Sequence, residues 1–134
     1  MKNAKNKNTR GSIIKNATKK RVIVSTFEVA ESMGSKTKGL MFRGSLEKGH
    51  GLLMPFEQER KHEIWMLGMR FPIDIIFIDA DKRIVDIKHS AKPMGKNPMT
   101  WRIYRPAKTC RYVLEISAGL AKETQTETGD VLEF

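Results

Sequence analysis

The 134-residue chain has one cysteine, Cys110, so no disulfide can form within it, which fits a reducing compartment. Its three histidines, His50, His62 and His89, form no His-x-x-x-His pair, and Cys110 has no second cysteine at ligand spacing, which argues against zinc. Asp79 and Asp81 do not make a calcium loop, because Arg83 stands where the third oxygen ligand belongs and no Gly or bidentate Glu follows at the required spacing. No metal and no cofactor are expected. No run approaches the ~18 apolar residues of a membrane span. The basic N-terminal stretch offers only Ile13-Ile14 where a secretory signal needs a block of about 7–15 apolar residues. The expectation is a soluble, cytoplasmic, monomeric protein that does not touch membranes.

Acidic residues are missing from the first 21 positions, which carry eight Lys and Arg and so supply most of the formal net charge of +10. Large apolar side chains are scarce there too. Such a segment buries too little surface to offset its ordering entropy. Residues 1–20 therefore read as a disordered basic arm, and residues 21–134 as a single β-rich domain. A high pI that comes from a tail is weak support for a nucleic-acid-binding fold.

What the rest of the chain has is alternation. Arg21–Val29, His62–Leu67 and Arg111–Ser117 read as strands, in which alternate residues share a face. In the last of these Tyr112, Leu114 and Ile116 share one face, and Arg111, Val113 and Glu115 the other. Ile75-Ile76-Phe77-Ile78 is apolar at consecutive positions and so needs cover on both faces. Pro72 before it and Asp79-Ala80-Asp81 after it favour a strand over Ile73–Ile78, followed by a hairpin into Ile84–His89. Leu52–Phe56 reads as a short strand that Pro55 places at an edge or a bulge. Ser32 is suited to cap a two-turn helix. The pattern of about seven short strands with one or two short helices predicts a mainly β fold, a compact β-sandwich or a partly closed barrel.

Several segments, in order, resemble a known family, the uncharacterised domain of unknown function 192. They are Gly39-Leu40-Met41-Phe42-Arg43, Gly51-Leu52-Leu53-Met54-Pro55-Phe56, Trp65-Met66, Pro72 through Asp79, and Tyr112-Val113-Leu114-Glu115. Gly119 and Gly129-Asp130 match less specifically. The likeness covers about residues 22–134 and implies a compact, mainly β fold of a conserved, uncharacterised protein, without assigning catalytic residues. Where the family usually shows Lys-Asn-Thr after Trp-Met, this chain has Leu67-Gly68-Met69.

Polar residues set within apolar motifs mark the candidate site. Asp74 lies at the mouth of the central strand, and a carboxylate beside a core must be paired, hydrogen-bonded or turned to water. Arg43 offers a planar fork that fits a carboxylate. With Trp65, Tyr112 and Glu115 these residues define a ligand- or partner-binding cleft near Asp74, for a small molecule or a protein; a plain Arg43–Asp74 structural pair is the blander reading. A second reading is nucleic-acid association through the basic arm and the loop 88–111, where Lys92, Lys96, Arg102 and Arg105 surround Trp101 and Tyr104. A third is carboxylate acid/base catalysis by Asp74 with Glu115. Cys110 with His89 would be a nucleophile and base, but a buried, inert thiol is the ordinary reading. Met41, Met54, Met66 and Met69 read as core filling, or as an adaptable apolar surface.

Overall fold

The computed structural model describes residues 8–134. Among them nine strands and two short helices follow in order: β1 (Thr9–Asn16), β2 (Arg21–Val29), α1 (Met33–Lys38), β3 (His50–Arg60), β4 (Ile64–Trp65), β5 (Ile73–Ile78), β6 (Ile84–Ala91), β7 (Ile103–Tyr104), β8 (Cys110–Ser117), α2 (Leu120–Glu123) and β9 (Leu132–Glu133). A single 3-10 turn, Pro98–Thr100, lies in the loop before β7.

Seven strands make one sheet in the order β6-β5-β8-β3-β2-β1-β9, and β4 with β7 forms a separate ribbon. Only the β2–β3 pairing is parallel. The sheet curls until its two ends meet. Arg83 bridges Val131, the Ile84 N–H donates to the Asp130 carbonyl at 2.8 Å, and the Leu132 N–H donates to the Lys82 carbonyl at 2.8 Å. The result is a mainly β, curled half-barrel with two short helices, the partly closed barrel of the two expected architectures.

The pleat sorts the side chains into two cores. Ile14, Ile23, Phe27, Leu53, Ile76, Ile78, Leu114, Ile116 and Leu132 pack together from both ends of the sheet, so they fill the inside of the curl. Leu52, Met54, Ile73, Ile75, Phe77 and Val113 face the other way. Leu40, Met66 and Met69 join them there, with the Tyr104 ring packed alongside. β5 is buried at all six positions, as its unbroken apolar run requires.

Three details differ from the sequence reading. The arm gives way to structure earlier than residue 20: Thr9–Asn16 pairs with β2 from Thr9↔Val29 to Asn16↔Arg21, and residues 1–7 lie outside the described residues. Only Ile14 of this strand carries a core signal, being fully buried. Its far end is tied down by polar bonds. The Asn16 side-chain amide donates to Asp130 Oδ2 at 2.9 Å and to Thr126 Oγ1 at 3.1 Å. β3 runs on past the expected Leu52–Phe56 to Arg60, and its register with β8 shifts after Pro55. Pro55 thus marks a bulge in an interior strand. His62–Leu67 shrinks to the two-residue β4. The Ser32 cap is present as expected, its hydroxyl accepting from the Ser35 N–H at 3.0 Å.

Candidate functional site

Strand alternation places Glu115 and Asp74 on opposite faces of the same sheet. Glu115 is paired laterally with Leu52 on β3 and Ile75 on β5, both residues of the outer core. Asp74 lies opposite Ile116 and shares its face with Ile76 and Ile78, which belong to the inner core. The two carboxylates therefore cannot act on one small molecule, and the proposed acid/base pair does not form.

Asp74 is fully buried and satisfied by backbone alone. Its Oδ1 accepts from the Ser90 N–H at 2.9 Å, and its Oδ2 from Gly119 at 3.1 Å and Ala121 at 3.0 Å. It ties the end of β6 and the start of α2 to the central strand, so a hydrogen-bonding partner does wait at this carboxylate. Arg43 does not reach it. Arg43 instead forks onto Glu28 of β2, at 2.6 and 3.0 Å. That contact, helped by Asn8, holds the Glu28 carboxyl below its ordinary range despite partial burial. Tyr112 sits on the inner face, edge-on to the Phe134 ring at 5.1 Å between centroids. Of the five candidates, only Trp65 and Glu115 come together.

They meet in a cleft of about 330 Å³ between α1, the segment after it and the β4–β7 ribbon, on the sheet face away from Asp74. The cleft is more enclosed than two shallow depressions elsewhere, one beside β2 and one around His89 and Thr126. Met54, Met69 and Ile64 form apolar wall, and Trp65 and Met33 stand at the mouth, 46% and 76% exposed. Glu115 is 4% exposed, and its Oε1 has no hydrogen-bond partner among the described residues. Burial raises its pKa to about 8, opposed only in part by the charge of Arg43, so at neutral pH the side chain holds its proton. The five candidates therefore do not share one cleft near Asp74, and the cleft that holds Trp65 is floored by Glu115. The sequence reading missed Glu28 as the partner of Arg43, and Gly39 and Met33 as cleft residues. The methionines were the available signal: Met41, Met54 and Met69 all line the cleft, while Met66 is core.

The basic loop is mixed. Lys92, Lys96, Trp101 and Arg102 are exposed, and the Trp101 indole N–H donates to the Gly95 carbonyl at 2.8 Å. Arg105 is paired with Glu63. The Tyr104 hydroxyl accepts from the Lys92 N–H at 3.2 Å while its ring packs on the outer core. Cys110 is fully buried in the outer core, where burial pushes its thiol pKa up. His89 borders the depression around Thr126 instead, so no Cys–His pair forms. Among the described residues no cluster of three or more His, Cys, Asp and Glu side chains could hold a metal, and no helix is long and apolar enough to cross a membrane.

A profile of the DUF192 family, described as "Uncharacterized ACR", matches residues 13–134, and the chain belongs to that family. Curated relatives carry the name UPF0127 protein. One from Thermococcus gammatolerans is 31% identical over 91% of this chain and 74% of its own length. One from Pyrococcus abyssi is 35% identical over 80% of this chain and 84% of its own. Two crystal structures share the fold. A protein of Sinorhizobium meliloti described as "a putative transcription regulator" superposes with a TM-score of 0.82 at 29% identity, covering 95% of each chain. A protein of unknown function from Novosphingobium aromaticivorans gives 0.81 at 26% identity, covering 100% of this chain and 99% of its own.

Proposed function

We infer that the protein is a ligand-binding β-domain whose site is the cleft under α1, with Glu115 at the floor and Trp65 at the mouth. One observation carries this reading: a buried carboxyl with an oxygen that has no partner among the described residues, at the floor of a mainly apolar cleft, is costly to keep. A core selected for stability alone would place an apolar residue there. Apolar walls with few convergent polar groups are the usual character of a small-molecule site, and the volume falls at the lower end of that class. A thermal-shift screen of apolar fragments, followed by Trp65 fluorescence on the hits, tests it. Binders that shift the melting temperature of the parent and lose their effect in Glu115→Leu are expected. A screen without binders, or binders indifferent to Glu115, would overturn the reading.

A second reading is nucleic-acid association through the loop before β7. Its support is the exposed Trp101 beside Lys92, Lys96 and Arg102, together with the description of the Sinorhizobium neighbour. Binding of single-stranded oligonucleotide should weaken with salt, with a log–log slope of about −2 for three phosphate contacts, and Trp101→Ala should weaken it further. Salt-independent retention would remove this reading.

A further inference from the structure

Gly39, just past α1, has a backbone of φ +48° that favours glycine, and its missing side chain leaves a small cradle in the cleft. A methyl carbon placed there would lie 3.6 Å from Glu115 Oε1, 3.7 Å from the Lys36 carbonyl oxygen and 4.0 Å from the Met54 methyl. Two oxygens and one apolar carbon thus flank the bare face of Gly39, which a ligand can approach closely, and Glu115 Oε1 has no hydrogen bond of its own among the described residues.

The charged groups around this point are committed elsewhere. Arg43 is taken by Glu28, Lys36 lies over the Phe56 ring with its nitrogen 4.6 Å from the centroid, and Glu63 of β4 is paired with Arg105. Lys38 at the end of α1 is exposed. At this point the protein offers two acceptor oxygens, and the one donor beside them is the proton that Glu115 holds.

We propose that the cleft takes a small organic primary ammonium ion, its nitrogen against the bare face of Gly39 and facing Glu115 and the Lys36 carbonyl, and its apolar body along Met54, Met69 and Trp65. This deepens the ligand-binding reading above and rests on it. An ammonium group carries three donors and no acceptor, so it can serve both oxygens at once. A neutral alcohol brings one donor without charge, and a carboxylate can accept the Glu115 proton but brings no donor for the Lys36 carbonyl. When the cation binds, Glu115 gives up the proton it holds at neutral pH. That proton passes to solvent, and a buried carboxylate–ammonium pair remains.

The test is calorimetric titration of the full chain with hexylamine, 1-hexanol and hexanoate, which share one apolar body and differ in the head. At neutral pH the amine should bind at least about tenfold more tightly than the alcohol, and hexanoate more weakly still. Repeating the amine titration in buffers of different ionisation enthalpy should show close to one proton released per amine bound. Glu115→Gln should bring the amine down to the affinity of the alcohol. The proton count on the unmutated protein keeps the test decisive if that variant folds poorly. N-acetyl-lysine methylamide, run in parallel, separates a free amine from a protein lysine: affinity equal to that of hexylamine supports the same head on a lysine side chain, and weaker affinity supports it on a free amine. If hexanol or hexanoate matches or exceeds the amine, the ammonium assignment fails while the cleft reading stands. If no hexyl compound binds, both fail.

Discussion

Arg43 closes on Glu28 with both arms of its fork, Nη1 to Oε2 at 2.6 Å and Nη2 to Oε1 at 3.0 Å. The pair crosses from the segment after α1 to β2 and leaves Glu115 to feel the guanidinium only at longer range. Removing one partner then has opposite effects on the buried carboxyl. Glu28→Gln unmasks the charge of Arg43, and the Glu115 pKa should fall from about 8. Arg43→Met removes the one influence that lowers it, and the pKa should rise. Carbon-13 NMR titration of the glutamate side-chain carboxyls reads both, and a Glu115 titration unmoved by either substitution would show that the charge is not felt.

Glu115 also makes stability depend on pH in the direction opposite to a salt-bridged carboxylate. Its folded pKa is about 8 against an ordinary 4.5, so the native chain binds this proton more tightly than the unfolded one. The contribution is fully present below the unfolded value and is lost as pH rises through the window, at up to about 1.4 kcal/mol per pH unit. Urea unfolding at about pH 5 and about pH 8 should show the decline, and Glu115→Gln should flatten it. An equal pH profile in parent and variant would mean that Glu115 titrates normally.

Asp74 should matter for folding and not for ligand binding. Asp74→Ala leaves the N–H groups of Ser90, Gly119 and Ala121 without their acceptor. A loss of about 3 kcal/mol or more is expected, since each buried unsatisfied group costs about 1–3 kcal/mol. Asp74→Asn keeps an acceptor oxygen and should lose less. Denaturation midpoints within about 0.5 kcal/mol of the parent would show that this anchor carries no weight.

The close fit of β1 to β2 can be probed at Gly11. It stands opposite Phe27, and a methyl carbon there would lie 2.3 Å from the ring Cζ. Gly11→Ala should destabilise the protein by about 1–3 kcal/mol through overpacking. Phe27→Leu in the same chain should recover part of that loss. An unperturbed single variant would mean that the ring swings aside freely.

The electrostatic knot at the barrel seam is a further check on the N-terminal strand. Lys19 Nζ reaches Glu127 Oε2 at 2.8 Å and Asp130 Oδ2 at 2.9 Å. The Asp130 carboxyl, pushed up by burial, is held below its ordinary range by hydrogen bonds from Asn16, Lys19 and the Glu127 N–H. A carboxyl with a depressed folded pKa stabilises above its unfolded value and loses that contribution as pH falls through the folded one. Asn16→Ala should therefore lower stability at neutral pH and reduce its loss on acidification. A neutral-pH midpoint equal to that of the parent would release Asn16 from this role.

Local pattern was enough to read the strands β2 and β8, the two-sided burial of β5, the Ser32 cap and an edge or bulge at Pro55, because each depends on residues close together in sequence. The same alternation already set Tyr112 and Glu115 on opposite faces of β8, so one small cleft could not use both. The order of strands and the meeting of β6 with β9 depended on long-range contacts. β1 pairs with its neighbour β2, but it has one buried isoleucine, and the bonds of its Asn16 side chain go to residues more than a hundred positions away, which no local window contains. The site divides in the same way. That Asp74, Glu115 and Arg43 needed partners followed from placing charge among apolar residues. Which partners they found was decided by the tertiary structure: backbone N–H groups for Asp74, Glu28 for Arg43, and none within the described residues for Glu115 Oε1. The physical reason is that a pleat fixes the side on which a residue points, whereas only the curl of the whole sheet fixes what it meets there.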